Sequence, residues 1–140
     1  MKDNIPKTCL LPLVACLLLL VAVSVYAATN SGNLTSSIFD TGASSGVAIN
    51  TIMWQGNQPS GTSVKFQIAS SNSSSGPWSY FGPDGSDTTY YTPTDANIPV
   101  QINLAQHNNK RYFRYKIFLE SDSGQTQSPR VDDVIINWSP

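Results

Sequence analysis

Strict alternation of apolar and polar residues is the feature that most limits how this chain can fold. In Ser63-Val64-Lys65-Phe66-Gln67-Ile68-Ala69 the apolar residues occupy every second position. An extended backbone sends Val64, Phe66 and Ile68 to one side and Lys65 and Gln67 to the other. The same period recurs at Val100, Ile102 and Leu104, and again at Phe113, Tyr115, Ile117 and Leu119. That last set faces away from Tyr112, Arg114, Lys116 and Phe118. Val134, Ile136 and Trp138 close the series, and two further strands are expected at 34–40 and 48–55, with Ile52 and Trp54 on one face. No helical repeat competes with this pattern after residue 28.

Turn formers separate the runs: Thr41-Gly42, Asn57-Gln58-Pro59-Ser60-Gly61, residues 72–77, Pro83-Asp84-Gly85, Asn108-Asn109 and Asp122-Ser123-Gly124. Short strands with one apolar face each must bury those faces against a second sheet. The expected fold is therefore all-β: an antiparallel two-sheet β-sandwich, jelly-roll-like, preceded by one N-terminal hydrophobic helix. The immunoglobulin Cys…Trp…Cys spacing is absent, which favours the jelly-roll form. At 140 residues the chain is long enough for one such domain, placed at 28–140.

Residues 1–27 are of a different kind. Lys2 and Lys7 precede an apolar run from Cys9 to Val25, and Val25-Tyr26-Ala27 fits a cleavage point between Ala27 and Ala28. This is the layout of a signal peptide. The run also approaches the length that spans a bilayer, so retention as a membrane or filament helix stays open. Leu13-Val14-Ala15-Cys16 has the form of a lipobox, which leaves lipidation open too. All three send the remainder of the chain out of the cytoplasm, with membrane contact only through 9–27 if they are retained.

Composition narrows the chemistry. Net charge is −1 with 12% charged residues, so the clustered cations that nucleic acid requires are missing. Lys110, Arg111, Arg114 and Lys116 are expected as solvent-facing residues of their strand. Both cysteines, Cys9 and Cys16, lie in the apolar segment, so the domain has neither a disulfide nor a thiolate metal site. The single histidine, His107, lies in a hairpin connection and is expected at the surface. A nucleophile needs a base beside it, and no Gly-x-Ser-x-Gly elbow is present. Asp84/Asp87 and Asp132/Asp133 are the candidate carboxylate pairs for hydrolysis, and both are expected to be solvated or to cap turns. No cofactor is expected.

The stretch GPWSYFGPDGSDTTYY at 76–91 concentrates five aromatic residues in sixteen positions. Three roles compete for Trp78, Tyr80, Phe81, Tyr90 and Tyr91. They fold back over the sandwich as a small core, form an exposed platform for sugar rings, or contact another subunit. In the platform reading Asp84, Asp87 or Asn72 would bond sugar hydroxyls, and Asp84 and Asp87 also form a fragment of a calcium loop. Tyr90 and Tyr91 cannot both point inward on a strand. Trp78 is expected inside, with Tyr80 and Tyr91 outside.

The order of motifs resembles a known kind of module. Ser37-Ile38-Phe39-Asp40-Thr41-Gly42 is followed by Trp54 and the 59–67 run, Trp78 with Gly82-Pro83-Asp84-Gly85, 111–116, and 128–134. This is similar to a β-sandwich module of bacterial secreted and cell-surface proteins, in the style of galactose-binding-like and discoidin-like domains. Some of these modules follow pilin-like N-terminal helices. The resemblance implies surface location, glycan contact through loops at one end, and few assigned activities. The Gly-Phe-Thr-Leu-x-Glu signature of type IV pilins is missing, and no acidic residue lies between Asp3 and Asp40. The expected function is a non-enzymatic structural or adhesive module of the cell surface. Its alternatives are a carbohydrate-binding module and a filament subunit. Glycans, cell-surface proteins or further copies of the chain are the expected partners.

Overall fold

The computed structural model describes residues 29–140. The expected N-terminal helix, Cys9, Cys16 and the Ala27–Ala28 processing point lie outside the described residues. The alternating runs become strands β1 (Ser31–Thr35), β2 (Phe39–Asp40), β3 (Ala48–Asn57), β4 (Ser63–Ser71), β5 (Val100–Gln101), β6 (Tyr112–Glu120) and β7 (Arg130–Ser139). One short helix, α1 (Leu104–His107), stands between β5 and β6.

The strands form two antiparallel sheets. In the first, β4 lies along one edge of β6, while β1 and β2 share its other edge. Arg111 and Asp40 meet in a two-pronged ion pair at 2.8 and 2.9 Å, tying the short β2 to the start of β6. In the second sheet β3 is central, flanked by β5 and β7.

Period-two patterning then decides the core. Val64, Phe66 and Ile68 of β4 and Phe113 and Ile117 of β6 meet Ile49, Ile52 and Trp54 of β3, all buried. Val134, Ile136 and Trp138 of β7 pack against that cluster from the other sheet. Burying each large side chain is worth about 1.5–3 kcal/mol. Without a disulfide in the domain, this contact between sheets is what holds them together.

Two expectations are corrected. The run Val100–Ile102–Leu104 does not continue as a strand: Ile102 is buried, but the side chain of Asn103 caps α1 and Leu104 is 40% exposed. His107 is not a surface residue. It ends α1 with 1% exposure, wedged beside β4.

Between β4 and β5, residues 72–99 contain no regular strand, yet they run back along the free edge of β4. Phe81 exchanges backbone hydrogen bonds with Ile68 at 2.9 and 3.1 Å, and Tyr91 does so with Phe66 at 2.8 and 2.9 Å. The excursion thus covers an edge that would otherwise offer unpaired N–H and C=O groups. On the opposite side of the molecule the outer edges of β1, β2 and β7 have no strand beside them among the described residues.

Candidate functional site

The excursion does more than cap an edge. Strand β6 turns Arg114, Lys116 and Phe118 away from the core, because they alternate with the inward Phe113, Tyr115, Ile117 and Leu119. Three aromatic rings of the excursion settle over this outward row. The Trp78 ring lies 5.7 Å from the Arg114 guanidinium, and the Tyr80 ring 4.6 Å from Lys116 Nζ. Tyr90 meets Phe118 edge to face at 4.9 Å, with Lys65 Nζ 5.8 Å from its centroid. Residues 78, 80 and 90 therefore match 114, 116 and 118 in order. The result is a ladder of rings and cations on the outer face of the first sheet, each rung half-buried.

Backbone contacts hold the ladder in register. Gln67 on β4 is buried and donates its amide to the carbonyls of Asp87 and Thr89 at 2.8 and 3.0 Å. Gly82 is buried where a Cβ would lie 2.3 Å from the Thr89 backbone, so only glycine allows the two arms of this loop to approach. Asp84 turns the tip: its carboxylate accepts from Ser86 N–H at 2.8 Å and from the Thr89 hydroxyl. Those hydrogen bonds hold its carboxyl below the usual carboxylate range. Asp84 is thus occupied with the loop's own turn, and Asp87 is exposed beside it. Among the described residues no group of three or more His, Cys, Asp or Glu is placed to hold a metal ion.

Tyr91 goes the other way, against expectation. It is 1% exposed, and its hydroxyl accepts the Asn103 N–H at 3.1 Å. Its bridge to Phe66 fixes the phase of the backbone there, sending Tyr91 into the core and Tyr90 outward. Asn103 links the same regions twice more, capping α1 through Ala105 N–H at 3.0 Å and donating to the Pro83 carbonyl at 2.8 Å. Trp78 also departs from expectation: it rests half-buried on the outer face and is not part of the core cluster. Of the residues singled out from the sequence, the structure gathers Trp78, Tyr80 and Tyr90 on one face, leaves Asp84 and Asp87 at the loop tip, and removes Tyr91 to the interior.

Sequence reasoning missed the floor of the site. Phe118 carries a signal of its own, being an aromatic residue on the otherwise polar-facing row of β6. Gln67 and Asn103 gave none. His107 Nδ1 lies 3.0 Å from Ser70 Oγ, and its Nε2 has no hydrogen-bond partner. Burial pushes this imidazole down to about 4, so it is neutral at pH 7 and sits beneath the surface. The ladder can make stacking and hydrogen-bonding contacts with a partner laid across it. No protein family, curated protein or solved structure matches this chain.

Proposed function

We propose that this chain is an exported, non-enzymatic module that works by surface contact, as a structural or adhesive part of a cell surface. Its two sheets are taken as a jelly-roll-like sandwich. The observation that carries the proposal is the ladder itself: Trp78 and Tyr80 lie over Arg114 and Lys116, and Tyr90 meets Phe118 edge to face, all on one open face. Aromatic residues and arginine are the residue types on which protein contact surfaces draw most of their energy. The N-terminal apolar run supports export.

Each cation–π rung at such a half-exposed site is worth about 0.5–1 kcal/mol. Trp78→Ala combined with Tyr80→Ala removes two such rungs and should therefore cost about 1–2 kcal/mol, lowering the urea midpoint while leaving a cooperative folded domain. Cells displaying the double variant should lose adhesion to the surfaces that the unaltered chain binds. Full adhesion by a stably folded double variant would end the assignment of this face.

A second reading, glycan binding, is favoured by one further observation: Asp84 and Asp87 stand at the tip of the loop that carries the three rings. It predicts retention on a glycan array that disappears with Trp78→Ala while the domain stays folded. Adhesion to protein-coated surfaces without any array signal would exclude it.

A further inference from the structure

We infer that the reverse side of the excursion holds a binding site for a small monocarboxylate. A cavity of about 230 Å³ lies where the excursion, the end of β4 and the end of α1 meet. Trp78 and Tyr80 turn to the ladder, while Pro77, Ser79 and Phe81 line the cavity. The cavity shares no side chain with the ladder and is independent of what that face binds.

Three features of the lining choose the ligand. The first is charge. Lys110 brings one cation, which pairs with no carboxylate among the described residues, and no Asp or Glu lines the cavity. One cation balances one negative charge. A dianion such as sulfate would leave its second charge unpaired there, at a desolvation cost.

The second feature is His107, which also lines the cavity. Its Nδ1 lies 3.0 Å from Ser70 Oγ, whereas Nε2 is buried without a hydrogen-bond partner. The imidazole is neutral at pH 7 and so carries one ring proton. When the Ser70 hydroxyl donates to Nδ1, that proton lies on Nε2, and a carboxylate oxygen would satisfy it. The Ser79 hydroxyl, exposed on the same cavity, is a further donor.

The third feature is the fit. Pro77 and Phe81 give the cavity apolar wall for a short tail, and its volume is room for about seven non-hydrogen atoms at about 30 Å³ each. Its sides are also set in advance. Phe81 is held by its backbone exchange with Ile68, and Lys110 by an exchange with Val47 at 3.0 and 3.4 Å. A site ordered before the ligand arrives loses less on binding.

Butyrate is the probe, with butyramide as its neutral counterpart and sulfate as the dianion. The chain has one histidine, so in the full isotope-labelled chain the ring nitrogens of His107 give a single pair of nuclear magnetic resonance signals. Butyrate at pH 7 should move the Nε2 signal along a saturating curve, and butyramide and sulfate should leave it in place. Lys110→Gln should weaken butyrate at least about tenfold, the loss of one charge-assisted contact. Arg130→Gln removes the same charge from β7 and should leave binding unchanged. The three probes on the unaltered chain decide the matter even where a variant does not fold.

A signal that stays still, or moves without saturating, leaves no site. Butyramide binding as well as butyrate makes the cavity merely apolar, and sulfate binding as well makes it a site for charge alone. Equal weakening in Arg130→Gln shows general attraction to the protein's charge, and undiminished binding by Lys110→Gln removes the cation from the site. Each of these results overturns the assignment.

Discussion

His107 is the residue whose surroundings most clearly translate into a measurable property of the protein. Its imidazole is 1% exposed, and burial alone pushes it down to about 4 from 6.5. The folded state therefore refuses a proton that the unfolded state accepts below 6.5. The contribution to stability is complete above pH 6.5 and is lost as pH falls toward 4, after which this group adds no further slope. Over that window the loss should approach about 3 kcal/mol, from roughly 1.4 kcal/mol per pH unit. Glu120, held below 4.5 by its hydrogen bonds from Lys65 and Ser63, and Asp40, Asp84 and Asp122, held below 3.8, lose their contributions mainly below pH 5, so the decline between pH 6.5 and 5 belongs to the histidine. Urea unfolding of the chain at pH 7, 6, 5 and 4 should show the decline, and His107→Gln should flatten it. A flat profile for the unaltered chain would mean that His107 reaches solvent.

Neighbouring residues also show where the sequence stops informing. Alternation established that Tyr90 and Tyr91 diverge, and the structure has one on each side of the backbone. Which one turns inward is set by the Phe66–Tyr91 bridge, a contact between residues far apart in the chain. Local sequence carries no record of that phase.

Among the elements, the strands were the legible part, because a sheet with one buried face writes its pattern directly into the side chains. β4, β6 and β7 fall where the alternation placed them. The excursion at 72–99 was not legible, since its order comes from single backbone bridges and from polar anchors such as Gln67, and neither has a period. Gly82 tests that account. A Cβ there would lie 2.3 Å from the Thr89 backbone, and backbone cannot yield as a flexible side chain can. Gly82→Ala should force the arms of the loop apart without altering any ring. The expected result is weaker near-ultraviolet dichroism from Trp78, Tyr80 and Tyr90. Amide exchange should also quicken at Ile68, whose N–H donates to the Phe81 carbonyl at 3.1 Å. Unchanged exchange at Ile68 would show that the bridge stands independently of the loop's closure.

At the scale of the whole molecule, the turns were legible and their consequences were not. Turn signals separated the strands, and the connection around His107 was expected to be a hairpin, yet none of the connections β2–β3, β3–β4, β4–β5, β5–β6 and β6–β7 joins strands paired in one sheet. Each passes from one sheet to the other. Pairing is therefore distant in sequence: Ala48 lies opposite Ser139, and Ser31 lies opposite Glu120. Such contacts incur the entropy of closing long loops before any of their burial is gained. Refolding of the chain, followed by tryptophan fluorescence as the fully buried Trp54 leaves water, should fall in the slow range of about milliseconds to seconds typical of non-local β topologies. The last strand should also be indispensable, because β7 pairs along the whole of β3 and its inward side chains pack on the core cluster that includes Ile52 and Trp54. A chain ending before Arg130 should show no cooperative urea transition at all. Microsecond refolding, or a cooperative transition without β7, would require a local nucleus that this arrangement of strands does not provide.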